Sequence, residues 1–144
     1  MARVVVDANV IIAARLARDS NHDRGRALAT AFDRGDLPTA YVLSDVLEEI
    51  YNYLDARAGH QVATETLDAL IESSGYEIAF TAKTDFDAGR SLARKYDTLS
   101  LTDAVIVAFM QREEIEYCYG FDDGFDAVDA VTRFVTPDSP YDPE

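Results

Sequence analysis

The chain opens with an unbroken β-branched run, Val4-Val5-Val6 after Arg3, that stops at Asp7. A run without polar alternation suits a central strand covered on both faces, so residues 3–7 are predicted as a strand. The pattern then turns helical. Asn9 is placed to cap a helix over about 10–18, and Ser20 or Asn21 to cap a second that reaches about Arg34, where Gly35 and Pro38 stop it. A third helix over 44–57 follows from a capping serine, an apolar stripe of Val46, Ile50 and Tyr53, and Gly59 beyond its end. A fourth helix is predicted over 61–73, before Gly75.

The second half repeats the alternation. Residues 76–81 read as a strand, and 84–96 as a helix in which Asp87 can complete a capping box with Thr84. Residues 101–112 form a helix apolar on nearly every side, which predicts burial. A strand over 116–121, a helical turn over 123–128 and a short strand over 132–135 complete the pattern. Strands separated by helices imply mostly parallel pairing with right-handed crossovers, hence an α/β fold with three α/β/α layers around a short central sheet. One domain over 1–136 accounts for the pattern, and 137–144 reads as a loose C-terminal tail. In such sheets ligands sit beyond the carboxyl ends of the strands, where strand order reverses. That rule selects Asp7 and Asp122.

Other carboxylates gain interest from their surroundings. Glu49 lies between Val46 and Ile50 on the apolar side of its helix and is expected to face the core; a partly buried salt bridge to an arginine is the plainer alternative. Asp103 forms a Ser-x-x-Asp capping pattern with Ser100, yet the apolar run 104–110 behind it presses that helix end into the domain. Asp122, Asp123 and Asp126 crowd one turn. Asp122 comes first after the strand and is favoured, with Asp126 a second contributor and Asp123 facing solvent. Asp7 alone could be an Asx turn joining strand to helix, and Asn9 simply a helix cap.

Four carboxylates at one end of a sheet repel each other, so some hold protons or a cation holds them together. Magnesium or manganese suits oxygen donors and would take one or two carboxylates plus substrate phosphate. His22 and His60 have no ligand spacing, which argues against zinc. No serine or cysteine nucleophile with a paired histidine is evident, and the seven glycines are too scattered for a phosphate loop. Hydrolysis of a phosphodiester by water activated at the cation is the reaction that remains.

Composition narrows the setting. The 144 residues carry a net charge of -14, from 27 acidic against 13 basic residues, and Lys83 and Lys95 are the only lysines. Such a surface stays hydrated where salt screens self-repulsion, which predicts a cytoplasm of very high salt, as in a haloarchaeon. It is also a poor generic binder of nucleic acid, so a polyanion must be recruited locally. Arg15, Arg18, Arg24 and Arg26, or Arg90, Arg94 and Lys95, could line a groove, although ion pairing with the surplus acids is expected for most of them. Cys118, in an apolar run, reads as a small core residue. Neither a membrane span nor the plan of a signal peptide is seen, and a cytoplasmic location is expected.

In order along the chain, Val-Val-Val-Asp-Ala-Asn-Val at 4–10, Val-Leu-Glu-Glu-Ile at 46–50, Leu-Ser-Leu-Thr-Asp-Ala at 99–104 and Tyr-Gly-Phe-Asp-Asp-Gly-Phe at 119–125 resemble the PIN-domain family, in particular its VapC-type toxins. The resemblance spans almost the whole chain. It implies a magnesium- or manganese-dependent ribonuclease, often a homodimer, commonly neutralised by a small antitoxin whose tail enters the active-site groove. Asp7, Glu49, Asp103 and Asp122 would be the catalytic, metal-binding acids, supported by Asn9 and Asp126. Where the family often has Thr or Ser two residues before its last acid, this chain has Gly120. Two rival readings are a phosphatase that attacks through its strand-end Asp, which needs a second acid where Asn9 stands, and a PIN-like scaffold that binds RNA or protein without cutting.

Overall fold

The computed structural model describes residues 2–141. Five strands form one sheet: β1 (Val4–Val6), β2 (Ala40–Leu43), β3 (Tyr76–Ala79), β4 (Tyr117–Tyr119) and β5 (Thr132–Phe134). Their order is β3-β2-β1-β4-β5 and every pairing is parallel. Six α-helices accompany them: α1 (Ala8–Arg15), α2 (His22–Arg34), α3 (Ser44–Ala58), α4 (His60–Glu72), α5 (Lys83–Lys95) and α6 (Leu101–Glu113), with a 3-10 turn over Asp123–Ala127. Right-handed crossovers place the helices that connect β1, β2 and β3 on one face and those that return to β4 on the other. The packing agrees, with α1 against α2 and α3, α3 against α4, and α5 against α6. The expected three-layer α/β/α architecture is therefore present.

Every residue of β1 is fully buried, as its uniform β-branching requires of a central strand. On one face Phe32 of α2 packs edge-on to Tyr119 at 5.3 Å and against Tyr76 at 5.5 Å. On the other, Tyr41 meets Phe109 of α6. Residues 103–110 of α6 are all buried, and Cys118 and Phe109 are core residues. No helix among the described residues is long and apolar enough to cross a membrane.

Several local expectations change. Strand β2 has no counterpart among the predicted elements. Its four residues run directly into α3, with Leu43 serving as the helix's N-terminal cap residue, so no polar break separates strand from helix. Ser44 does not cap α3; its hydroxyl accepts the Thr81 N–H at 3.0 Å and so ties the start of α3 to the exit of β3. Asn21 occupies the cap position of α2 without a side-chain bond. Thr84 and Asp87 make no capping box, because α5 starts one residue earlier and Asp87 instead accepts from Lys83 at 2.7 Å. The first helix begins at Ala8, so Asp7 is its cap and Asn9 lies within it.

The described part of the C-terminal segment, residues 137–141, packs back on the domain. Tyr119 donates its hydroxyl to the Asp138 carbonyl, and Tyr141 stacks edge-on against Tyr117 at 5.4 Å. The remainder of the expected tail, 142–144, lies outside the described residues.

Candidate active site

The order β3-β2-β1-β4-β5 reverses direction between β1 and β4, and the crevice above that point is where a parallel sheet receives a ligand. Asp7 follows β1 directly. Its backbone N–H donates to the Tyr119 carbonyl at 2.9 Å, continuing the ladder, while its Oδ1 accepts the Ala8 N–H at 2.8 Å and caps α1. Cap and ladder hold the carboxylate at the core edge, only 4% exposed. Asp103 arrives from the other layer. Ser100 Oγ accepts the Asp103 N–H at 3.1 Å, and the buried run behind it sinks the first turn of α6 into the domain, leaving Asp103 6% exposed.

Two buried carboxylates in one crevice are costly as anions. Burial pushes Asp7 up to about 8, reinforced by the negative charges of Asp103, Glu49 and Asp122 and opposed by the Ala8 N–H. Burial raises Asp103 to about 6, with Asp122 and Glu49 adding repulsion and the Ser100 hydroxyl favouring the anion. Glu49 and Asp122 thus lie near enough to act on both Asp7 and Asp103. They stand at the exposed rim of the crevice.

Glu49 does not face the core. The buried stripe of α3 is Val46, Ile50 and Leu54, and Tyr53 is exposed beside Glu49 on the adjoining flank. Partial burial raises the Glu49 carboxyl, although the side chain reaches solvent. The salt bridge considered for it does not form among the described residues.

The turn after β4 sorts its three acids. Asp122 Oδ1 accepts the Gly124 N–H at 2.9 Å and caps the 3-10 turn. Asp126 is held by Arg133 through two bonds, at 3.0 and 2.9 Å, and that guanidinium keeps its carboxyl below the usual range. Its charge is thus spent on Arg133, and it is absent from the groups that act on Asp7 and Asp103. Asp123 is exposed. Asn9 reaches across from α1, its Oδ1 accepting the Phe121 N–H at 3.2 Å, and so braces the segment that carries Asp122.

Arg133 is a positioning residue that the sequence pattern did not single out. From β5, beside Cys118 in the ladder, it donates to the Gly120 carbonyl at 3.0 Å while gripping Asp126. Its only signal in the sequence is an arginine in an edge strand. Gly124 is equally specific: a β-carbon there would stand 2.2 Å from the Thr98 carbonyl oxygen, so the loop before α6 and the turn after β4 meet backbone to backbone. A β-carbon at Gly120 would stand 3.1 Å from Asp7 Cβ and 3.6 Å from its Oδ2, so a side chain at this position would crowd the carboxylate.

The donors suit a hard divalent cation by charge, since two buried carboxyls with raised pKa have their repulsion relieved by a positive ion. Among the described residues no three acidic or imidazole side chains converge into a preformed cage. A divalent cation here would therefore rest on one or two carboxylates, retained waters and the substrate's phosphate. The arginines also depart from expectation. Arg15, Arg18, Arg24, Arg26, Arg90, Arg94 and Lys95 form no ion pair among the described residues, despite the excess of acids.

Residues 4–131 match the PIN domain. The chain belongs to the PIN domain family. Two relatives, a VapC ribonuclease of Mycobacterium bovis and ribonuclease VapC13 of Mycobacterium tuberculosis, are each 27% identical over 131 residues, 90% of this chain and 98% of theirs. The fold is similar to the crystal structure of Mycobacterium tuberculosis VapC20, a toxin that cleaves the sarcin-ricin loop, with a TM-score of 0.76 at 23% identity over 88% of this chain and 95% of that one. It is also similar to a chain of VapBC2 from Rickettsia felis bound to promoter DNA, with a TM-score of 0.66 at 13% identity over 92% of this chain and 97% of that one. The PIN domain thus extends from β1 to the approach of β5 and includes all four gathered acids.

Proposed function

We propose that this PIN-domain protein is a magnesium- or manganese-dependent endoribonuclease, the toxin of a VapBC-type toxin–antitoxin pair. The observation that carries the reading is Asp7, buried at the switch point of the sheet, its carboxyl raised first by that burial and then by the charges of Asp103, Glu49 and Asp122. Its relatives at 27% identity are ribonucleases, which favours RNA over other phosphodiesters.

Asp7 and Asp103 would hold the cation from the crevice floor, with Glu49 and Asp122 joining from the rim. When bound, the cation supplies Lewis-acid polarisation of the phosphate and a lowered pKa for the attacking water. The residues themselves do the placing. The helix cap and ladder fix Asp7, the Ser100 cap fixes Asp103, Asn9 accepts the Phe121 N–H just before Asp122, and the Gly124 N–H holds Asp122 Oδ1. Low accessibility at Asp7 and Asp103 strengthens charge interactions with a bound phosphate. The phosphatase reading is less favoured, because the position of the required second acid holds Asn9, whose amide oxygen is engaged by the Phe121 N–H.

An antitoxin partner, a homodimer, a cytoplasmic location and a haloarchaeal, high-salt habitat belong to the same proposal. The test is incubation of the purified protein with structured RNA and either metal in molar salt. Wild type is expected to cut, and Asp7→Asn and Asp103→Asn to lose activity by on the order of 100-fold or more. Equal cleavage by wild type and variants, or no cleavage with any divalent metal, rejects the proposal.

A further inference from the structure

Helix α3 presents Glu49, Tyr53 and Arg57 at intervals of four, and all three are exposed. Residues four apart stand one above another on a helix, so they form a row beside the buried stripe. Glu49 is at the rim of the carboxylate crevice, and the row leads away from it. Eight residues at 1.5 Å each make about 12 Å, roughly three nucleotides stacked at 3.4 Å.

At the far end of the row Tyr53 and Arg57 face Leu16, Ala17, Arg18 and Asp19, which follow α1, across a cleft of about 380 Å³. The Arg57 guanidinium lies 4.6 Å from the centre of the Tyr53 ring and donates to its hydroxyl at 3.2 Å. That bond orients an aromatic ring on the surface. Neither Arg18 nor Arg57 has an ion-pair partner among the described residues, and Asp19 directs its carboxylate to the Asn21 N–H. In a chain with 27 acidic residues, the cleft holds two guanidiniums without a carboxylate partner beside one acid, Asp19; Arg57 covers one face of the Tyr53 ring and leaves the other for a base. Cations beside an aromatic face are the chemistry that grips unpaired nucleotides, since every base has a face to stack and every linkage a phosphate.

We propose that this cleft receives an unpaired nucleotide of the RNA, its base stacked on Tyr53 and its flanking phosphates held by Arg18 and Arg57. The inference rests on the ribonuclease reading and assigns residues outside the carboxylate crevice, Tyr53, Arg18 and Arg57, that would hold the strand beside the cut. A paired base cannot reach the ring without leaving its stack.

The experiment measures binding apart from cleavage. In the Asp7→Asn background, a fluorescent single-stranded RNA and the same strand in duplex are titrated against protein with Tyr53 intact, Tyr53→Ala, Tyr53→Phe and Arg18→Ala/Arg57→Ala. Single-stranded binding is expected to weaken at least about tenfold in Tyr53→Ala and to be rescued by Tyr53→Phe. The double arginine variant should flatten the salt dependence by about one to two phosphate contacts. In the otherwise wild-type enzyme, Tyr53→Ala should raise KM for loop RNA and leave kcat nearly unchanged.

Equal binding by Tyr53→Ala, or equal preference for duplex, overturns the cleft assignment while leaving the nuclease reading intact. Binding that depends on Tyr53 without any cleavage by wild type supports the cleft and removes the nuclease. An acidic peptide that needs Tyr53, with RNA binding unaffected by its loss, reassigns the cleft to a protein partner and overturns the proposal.

Discussion

Asp7 has two roles that conflict when no cation is bound. As a helix cap it favours an anion, because the Ala8 N–H points at Oδ1; as a buried neighbour of three acids it favours a proton. Burial and repulsion prevail, and both Asp7 and Asp103 end above the ordinary carboxylate range. Between roughly pH 4 and pH 8 the metal-free fold therefore binds more protons than the unfolded chain, and its stability falls as pH rises through that window. Thermal denaturation in chelator should show a lower Tm at pH 8 than at pH 5. Asp7→Asn keeps a cap acceptor without the charge, so it should stabilise the metal-free fold at pH 8 by on the order of 2 kcal/mol and raise its Tm there. A variant no more stable than wild type at pH 8 would contradict this electrostatic account.

Gly124 is a second residue with a fixed requirement. Adding one methyl places it against the Thr98 carbonyl, which belongs to backbone and cannot rotate away. Gly124→Ala should cost more than about 2 kcal/mol, measured by chemical denaturation, and should lower activity by displacing Asp122.

At the level of elements, the turn after β4 sets Asp122 and Asp126 apart. Asp126 is neutralised by Arg133, whereas Asp122 faces Asp103. Asp126→Asn should retain most of the cleavage rate and Asp122→Asn should lose on the order of 100-fold, as compared by single-turnover assay with excess metal. The reverse ranking would move the fourth ligand to Asp126. Much of this arrangement was readable from residue pattern. Val4–Val6 and residues 104–110 of α6 are uninterrupted apolar runs, as a doubly covered strand and a buried helix require. The ends of those elements then located Asp7 and Asp103.

What was not readable has physical causes. Strand β2 is four residues long and merges with α3, so it carries neither alternation nor a turn signal. A stripe of Val46, Ile50 and Tyr53 would turn Glu49 inward; Leu54, not Tyr53, completes the buried stripe of α3. The grip of Arg133 on Asp126 depends on the register of β5 beside β4, a long-range pairing that no local pattern encodes.

Across the whole molecule, a net charge of -14 coexists with arginines that form no ion pairs among the described residues. Self-repulsion of that size is screened by salt, since the Debye length falls to about 3 Å at 1 M. The Tm of the protein should rise steadily with potassium chloride up to molar concentration. A Tm independent of salt would remove the high-salt habitat without touching the active site. The unpaired arginines then remain available to phosphates even where general attraction between protein and RNA is weak.

The central claim is that Asp7 and Asp103 share a divalent cation, and it is tested most directly by calorimetric titration of manganese at pH 6.5–7 in buffers of different ionisation enthalpy. Because the metal-free carboxyls hold a proton there, binding should release about one proton per cation and should fail in Asp7→Asn. Binding that is unchanged in Asp7→Asn, or that releases no proton, would contradict the account.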